Sequence, residues 1–313
     1  MTAAVGRDHG ARRRVLRWAG LGLAACLGPV ARPARAAPGI TWGLIDWPPL
    51  FLFDPARPPS RVAELGDGVA DRVMAELVAR LPGFQHRFEL MNRRRLAHAL
   101  AARGSEFCYA AMLRTPEREK RYYLVPVAPL PPLALVLRAE LLPRLGVAER
   151  EGEEASLAAL LAHPGLRGAL EAQRSYGQLD RLLAAQPTPL PREGVSTPGQ
   201  LVRLVGRGRY DYTLEYPLTV EHLRRQGALG RAELRTLALV EAREWPVAHV
   251  ACARNPAGRR AAQAIAGAVA EAARGRALRE ALPGWLPAPL PPAGRQRLEA
   301  YFDGLARGVG VIE

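Results

Sequence analysis

One six-residue run concentrates groups that could hold an anion: Arg114, Thr115, Pro116, Glu117, Arg118 and Glu119. Thr is a good helix cap and Pro suits the first helical position, so Thr115-Pro116 predicts a short helix start. The N–H groups freed there would be available to a carboxylate or phosphate, and Arg118 could close a two-pronged pair on the same anion. The plainer alternative makes Thr115 an ordinary cap and pairs Arg118 with Glu117, Glu119 or another surface acid. Some seventy residues upstream, Asp46-Trp47-Pro48-Pro49 adds a large aromatic that could wall a cleft or plug a core. Catalytic motifs are scarce. His9, His86, His98, His163, His222 and His249 show no metal-ligand spacing, and no nucleophile elbow, nucleotide loop or paired-cysteine motif occurs. No cofactor or metal is expected.

These residues need elements to hold them, and strand-like and helix-like segments alternate along the chain. Residues 40–45 read as a strand ending at Asp46. Val69, Val73, Leu77 and Leu81 then recur every four residues behind Asp67, a plausible N-cap. Residues 85–91 read as a strand, 94–103 as a helix and 107–113 as a third strand, which is a doubly wound α/β pattern. The proline-rich piece 126–132 reads as a junction between lobes. Beyond it come strands at 133–137, 166–172 and 210–215, with helices at 156–161, 175–185 and from Thr197 to near Gly206. The last two helices carry the spacing of a capping box, Ser175 to Gln178 and Thr197 to Gln200 with Pro198 at the first helical position. A strand at 247–253, an Ala-rich helix at 257–273 and an apolar piece at 278–286 follow.

Upstream of all this, Arg12, Arg13, Arg14 and Arg17 precede an apolar run at 18–30, then Ala34-Arg35-Ala36. Basic, apolar and small-residue segments in that order predict a secretory signal over residues 1–36. The apolar run falls short of the roughly 20 residues needed to span a bilayer. Leu23-Ala24-Ala25-Cys26 also matches the pattern at which bacterial lipoproteins are cleaved and acylated, and Arg12-Arg13-Arg14 loosely resembles a twin-arginine signal, so the route and a lipid anchor at Cys26 stay open. The formal charge is +14; without the seven Arg and one Asp of residues 1–36, 37 basic residues face 29 acidic ones, a net +8. All the basic residues but Lys120 are Arg, scattered along the chain rather than gathered with aromatics, which argues against a nucleic-acid surface. The roughly 275 remaining residues are more than one core usually organises, so two lobes are expected.

Several short motifs stand in a telling order: Trp47-Pro48-Pro49-Leu50, Gly68-Val69-Ala70-Asp71, Thr115-Pro116-Glu117-Arg118, Ala134–Arg138, Gly208-Arg209-Tyr210-Asp211 and Val250-Ala251-Cys252 before a helix. In that order the chain resembles the bacterial extracellular solute-binding proteins of family 3, the polar amino-acid type, over nearly all of residues 40–290. The resemblance implies a two-lobed type 2 periplasmic-binding clamshell, each lobe a doubly wound sheet flanked by helices, with lobe 1 at 40–131 and 247–313 and lobe 2 at 132–246. It also implies that Arg118, with Arg114 and Thr115 beside it, holds a ligand carboxylate. Across the cleft, Arg174, Ser175 and Tyr176 match an anion contact and Glu215 lies within one residue of an amine-binding acid; Trp47 and Tyr122 would be apolar walls. A plain cap for Ser175 and a strand-end acid for Glu215 are the bland readings. The family's topology makes the strands of Cys108 and Cys252 antiparallel neighbours, so in an oxidising compartment these two could bridge, or stay buried thiols.

One departure stands out. The amino-acid binders carry small hydroxyl residues before the anchoring Arg, whereas this chain has Ala110-Ala111-Met112-Leu113. The expectation is therefore a periplasmic, monomeric, extracytoplasmic solute-binding protein without a transmembrane span. It would capture a small anionic or zwitterionic, amino-acid-like metabolite by hinge closure, for an ABC-type importer or a membrane receptor. The alternatives are an orphan sensory subunit and an enzyme on the same scaffold, such as a dehydratase with Glu215 as base beside a carboxylate anchored on Arg118.

Overall fold

The computed structural model describes residues 37–145, 154–172, 174–195, 197, 199–230, 233–286, 290 and 292–313. The expected signal, Cys26 and Pro198 fall outside them. The strands are β1 (Gly39–Leu44), β2 (Gln85–Leu90), β3 (Phe107–Leu113), β4 (Tyr122–Pro129), β5 (Ala134–Arg138), β6 (Glu154–Ala155), β7 (Gly168–Glu171), β8 (Arg192–Glu193), β9 (Tyr212–Glu215), β10 (Leu234–Leu239) and β11 (Val247–Ala253). The helices are α1 (Val69–Ala79), α2 (Arg93–Ala101), α3 (Pro116–Glu119), α4 (Leu157–Leu161), α5 (Asp180–Ala184), α6 (Gln200–Gly206), α7 (Pro217–Arg225), α8 (Pro256–Ala272), α9 (Arg276–Glu280) and α10 (Pro292–Arg307).

Two mixed sheets result. The first runs β2-β1-β3-β11-β4 and the second β6-β10-β5-β9-β7-β8. In the first, β1 pairs in parallel with β2 and β3, while β11 lies antiparallel between β3 and β4. In the second, β7 and β9 are parallel and β5 is antiparallel to both β9 and β10. The chain passes from one sheet to the other between β4 and β5 and returns between β10 and β11. The two passages touch, with the Leu130 N–H donating to the Pro246 carbonyl at 2.8 Å.

Burial explains the strands. Ile40, Trp42 and Leu44 of β1 are fully buried, with both faces of the sheet covered, whereas β2 at the edge buries little beyond Phe88. On α1, Val69, Val73, Met74 and Leu77 turn inward at helical spacing. A smaller cluster of Val136, Val202, Val205, Val220, Leu223 and Leu234 packs α6 and α7 against the second sheet. Arg138 and Asp211, both in the recognised motifs, bond at 3.1 Å there, and Arg138 also donates to the carbonyls of Val205 and Tyr210.

Several sequence expectations shift. Residue 126 lies inside β4, because a Pro is tolerated where its missing donor is not needed, and the passage between sheets begins only after Pro129. The N-cap of α1 is Gly68, not Asp67, and Asp71 closes back on the Gly68 N–H at 3.2 Å. The box expected at Ser175 closes on Asp180 instead, after a 3₁₀ turn at Gly177–Leu179, because Gln178 reaches out to the Glu244 carbonyl. Helix α6 begins at Gln200 with Gly199 left-handed (φ 71°) before it. Periodicity did not predict β10, α7 or α10.

Candidate ligand-binding cleft

The side chains of interest sit at the carboxyl ends of parallel strands, where doubly wound sheets present their ligands. Trp47 follows β1, Arg93 follows β2 and Arg118 follows β3; from the second sheet, Arg174 follows β7 and Glu215 ends β9. Each is positioned by its own element. The loop bearing Trp47 is tied to the start of α1, whose Val69 and Ala70 N–H groups donate to the carbonyls of Pro49 and Leu50 at 3.1 and 2.7 Å. A Cβ on Gly68 would stand 2.5 Å from the Leu50 carbonyl oxygen, so only glycine lets the loop approach. Asp71 completes the tie by accepting from the Leu52 N–H at 2.7 Å. Its other oxygen, Oδ1, has no partner among the described residues, and burial pushes this carboxyl up to about 6 despite the two N–H donors.

At the centre lies a buried ion pair. Arg174 donates through both Nη1 and Nη2 to the two oxygens of Glu215, at 2.8 and 2.7 Å, and each side chain is 5% exposed. The Tyr216 N–H also donates to Glu215 at 2.7 Å, and Glu171 lies 3.3 Å from Arg174. Around the guanidinium stand the rings of Tyr176, Tyr216 and Trp47, their centroids 5.3, 5.4 and 5.8 Å away. Burial opposes the charge on Arg174, but the attraction and hydrogen bonds of Glu215 outweigh it and raise its pKa.

Trp47 belongs to the first half of the molecule and Arg174 to the second, so this stack spans the cleft. A second bridge reinforces it: Arg93 lies over the other approach to Trp47 at 4.5 Å and pairs with Glu171 at 3.3 Å. At a third point, Trp285 donates its indole N–H to the Asp67 carbonyl at 3.2 Å while Arg225 of α7 lies over its ring at 5.2 Å and donates to the Gly284 carbonyl. The two halves are shut against each other.

Arg118 is the exception to this pairing. It is half-buried, and Nη1 donates to the Leu113 carbonyl at 2.7 Å, yet among the described residues no acid lies within ion-pair distance of it. Its charge opposes the upward push of burial on two phenols, Tyr109 of the first sheet, at about 12, and Tyr216 of the second. Of the N–H groups of α3, expected to await an anion, those of Arg118 and Glu119 are used within the turn: both donate to the Thr115 carbonyl at 3.0 Å, and Thr115 Oγ1 caps Arg118. Arg114 pairs with Glu119 on the surface. Ser175 donates to Asp180 at 2.6 Å, and Tyr122 is buried in the core of the first sheet. The residues that sequence reading missed, Arg93, Glu171 and Tyr216, share one signal, a position within a few residues of a strand's carboxyl end.

A cavity of about 740 Å³ adjoins this cluster, bordered by residues 113–117, residues 175–180, Tyr216, Trp245 and Tyr301. Most of its lining is apolar or aromatic. Trp47, Arg118 and Glu215 do not line it, but Leu113, whose carbonyl Arg118 binds, and Tyr216, whose N–H donates to Glu215, do. Among the described residues no cluster of His, Cys, Asp and Glu could hold a metal ion, and no helix is long and apolar enough to cross a membrane.

No protein-family profile and no curated protein matches the chain. Solved structures do. An extracellular-binding protein of an amino-acid ABC transporter from Bacillus subtilis superposes with a TM-score of 0.59 at 20% identity, covering 79% of this chain and 97% of that one. A protein of glutathione import from Streptococcus mutans gives 0.61 at 14% identity over 82% and 99% of the two chains. A histidine kinase sensor domain similar to periplasmic binding proteins gives 0.59 at 16% over 81% and 98%. The fold is that of the two-lobed periplasmic binding proteins. In that fold β3 and β11 are neighbours, and here Cys108 and Cys252 sit directly opposite each other in the ladder and form a disulfide, with Cα atoms 4.2 Å apart.

Proposed function

We propose that this chain is an extracytoplasmic solute-binding protein that captures a small carboxylate-bearing metabolite by hinge closure. Arg118 carries the reading: a half-buried arginine with no acid within ion-pair distance among the described residues, its Nη1 on the carbonyl of Leu113 at the border of a cavity of ligand size, is the group a carboxylate would satisfy. Binding would shift an open-closed equilibrium, and a membrane importer or receptor would read the shut form. The binding-protein neighbours support an importer partner and the histidine kinase neighbour a receptor; the genes flanking this one would separate the two. The enzyme reading is weaker, since Glu215, the base it needs, has both oxygens bonded to Arg174. Thermal unfolding in the presence of amino acids, monocarboxylates, dicarboxylates and small peptides tests the proposal. A ligand at about 100 times its dissociation constant should add roughly 2.7 kcal/mol. A panel that leaves the midpoint unmoved would count against solute capture, and consumption of the ligand over hours by NMR would turn the reading towards an enzyme.

A further inference from the structure

We infer that the captured solute is a carboxylate lacking an α-ammonium group, because the buried and half-buried acids of the cleft, Glu171, Glu215 and Asp180, are already bound within the protein. This rests on the solute-capture reading above and narrows it. An α-amino acid needs an acceptor for its ammonium as well as a donor for its carboxylate. The acid placed for that acceptor, Glu215, is 4% exposed and gives both oxygens to Arg174 and one of them also to the Tyr216 N–H. Arg174 cannot easily swing aside, since Tyr176, Tyr216 and Trp47 surround its guanidinium. Glu171 is shared between Arg93 and Arg174, and Asp180 is held by Ser175 Oγ and the Tyr176 N–H. Strand β3, leading to Arg118, ends in Ala110, Ala111, Met112 and Leu113, none with a side-chain oxygen, and the Leu113 carbonyl is taken by Arg118. Glu117 and Glu244 border the cavity only at exposed positions, where a charge pair gains little.

The charge count agrees. Arg93 and Arg174 are balanced by Glu171 and Glu215, and Arg118 is left with no acid within ion-pair distance among the described residues, a positive charge that a carboxylate would balance. A buried ammonium without a partner would be strongly disfavoured. The adjoining cavity, with Leu133, Tyr176, Tyr216 and Trp245 on its walls, fits an aromatic or branched aliphatic body, and the Tyr301 hydroxyl, buried without a partner among the described residues, also borders it.

Calorimetry of the purified protein with matched pairs decides this: 3-phenylpropionate against L-phenylalanine, 4-methylpentanoate against L-leucine, glutarate against L-glutamate. Each pair differs at the amine. The deaminated acid of the binding pair should be tighter by at least about tenfold. Arg174→Gln, if it folds by circular dichroism, should free Glu215 and narrow the ratio. An amino acid that binds as tightly as its partner, or a ratio left unchanged in a folded Arg174→Gln variant, overturns the inference while leaving solute capture standing. Binding of neither member of any pair would remove carboxylate capture itself, and this inference with it.

Discussion

Arg118 owes its position to a short piece of local chemistry. Thr115 caps its N–H, Pro116 starts the turn, and the Leu113 carbonyl fixes one end of the guanidinium. Under carboxylate capture, Arg118→Ala should weaken the bound acid by about 2–4 kcal/mol with the unfolding midpoint of the free protein nearly unchanged. Lys should restore only part of this, since it lacks the planar fork. An unchanged dissociation constant by calorimetry would return Arg118 to the status of a structural residue. Asp71 gives a second residue-scale prediction, of opposite kind. Its carboxyl titrates near 6 in the fold against an ordinary value of 3.8, so the fold prefers it protonated. The resulting stability is fully present below pH 3.8 and is lost as pH rises through about 6. From pH 7 to pH 4 the wild type should therefore gain on Asp71→Asn by up to about 3 kcal/mol, since each pH unit between those two values is worth roughly 1.4 kcal/mol. Urea unfolding of both proteins across that range checks it; a constant gap would show that Asp71 does not titrate there.

At the scale of elements, the decisive contact is the one between β3 and β11, whose residues are far apart in the chain. The Cys108–Cys252 bridge joins positions 144 residues apart, both fully buried. Closing so long a loop in the unfolded chain should be worth about 4–5 kcal/mol on the chain-entropy account, with losses from the two small cavities added on replacement. Cys108→Ala with Cys252→Ala should accordingly unfold at much lower urea, and alkylation of the unreduced, denatured wild type should label neither residue. The elements also mark what the sequence could convey. Strand β3 and strand β11 stand where their apolar runs place them, residues 107–113 and 247–253, because a fully buried strand is a continuous hydrophobic run. Helix α7 was illegible since His222, Thr219 and Pro217 dilute its apolar face. The Arg174–Glu215 pair was illegible for another reason. Each residue could be placed near the cleft, but their bonding to each other depends on β7 and β9 running side by side, a long-range fact with no local trace. Helix α3 shows the converse: its start was readable, and the use of the Arg118 and Glu119 N–H groups by Thr115 was not.

For the molecule as a whole, function would reside in the balance between a shut and an open arrangement of the two halves. Two clasps hold the shut one: Arg93 on Trp47 and Glu171, and Trp285 between Asp67 and Arg225. Neither clasp involves Arg118, so closure is favoured in part before any solute arrives. The clasps are partly exposed, Arg93 to 37%, and salt and water screen them. Exposed ion pairs contribute about 0.2–1 kcal/mol and exposed cation–π contacts about 0.5–1 kcal/mol each. Removing both through Arg93→Ala and Trp285→Ala should therefore move the closed-to-open ratio by on the order of 1–2 kcal/mol, a factor of roughly 5–30. Since only the shut form brings Arg118 and Tyr216 to the same ligand, apparent affinity should fall by the same factor as the shut fraction, with the contacts to the solute themselves untouched. Small-angle scattering of the ligand-free double variant should show a larger radius of gyration than the wild type, and a saturating solute should bring the two together. A double variant as compact as the wild type without solute would mean that the clasps do not set the equilibrium, and that the buried Arg174, Glu215 and Trp47 stack alone holds the halves together.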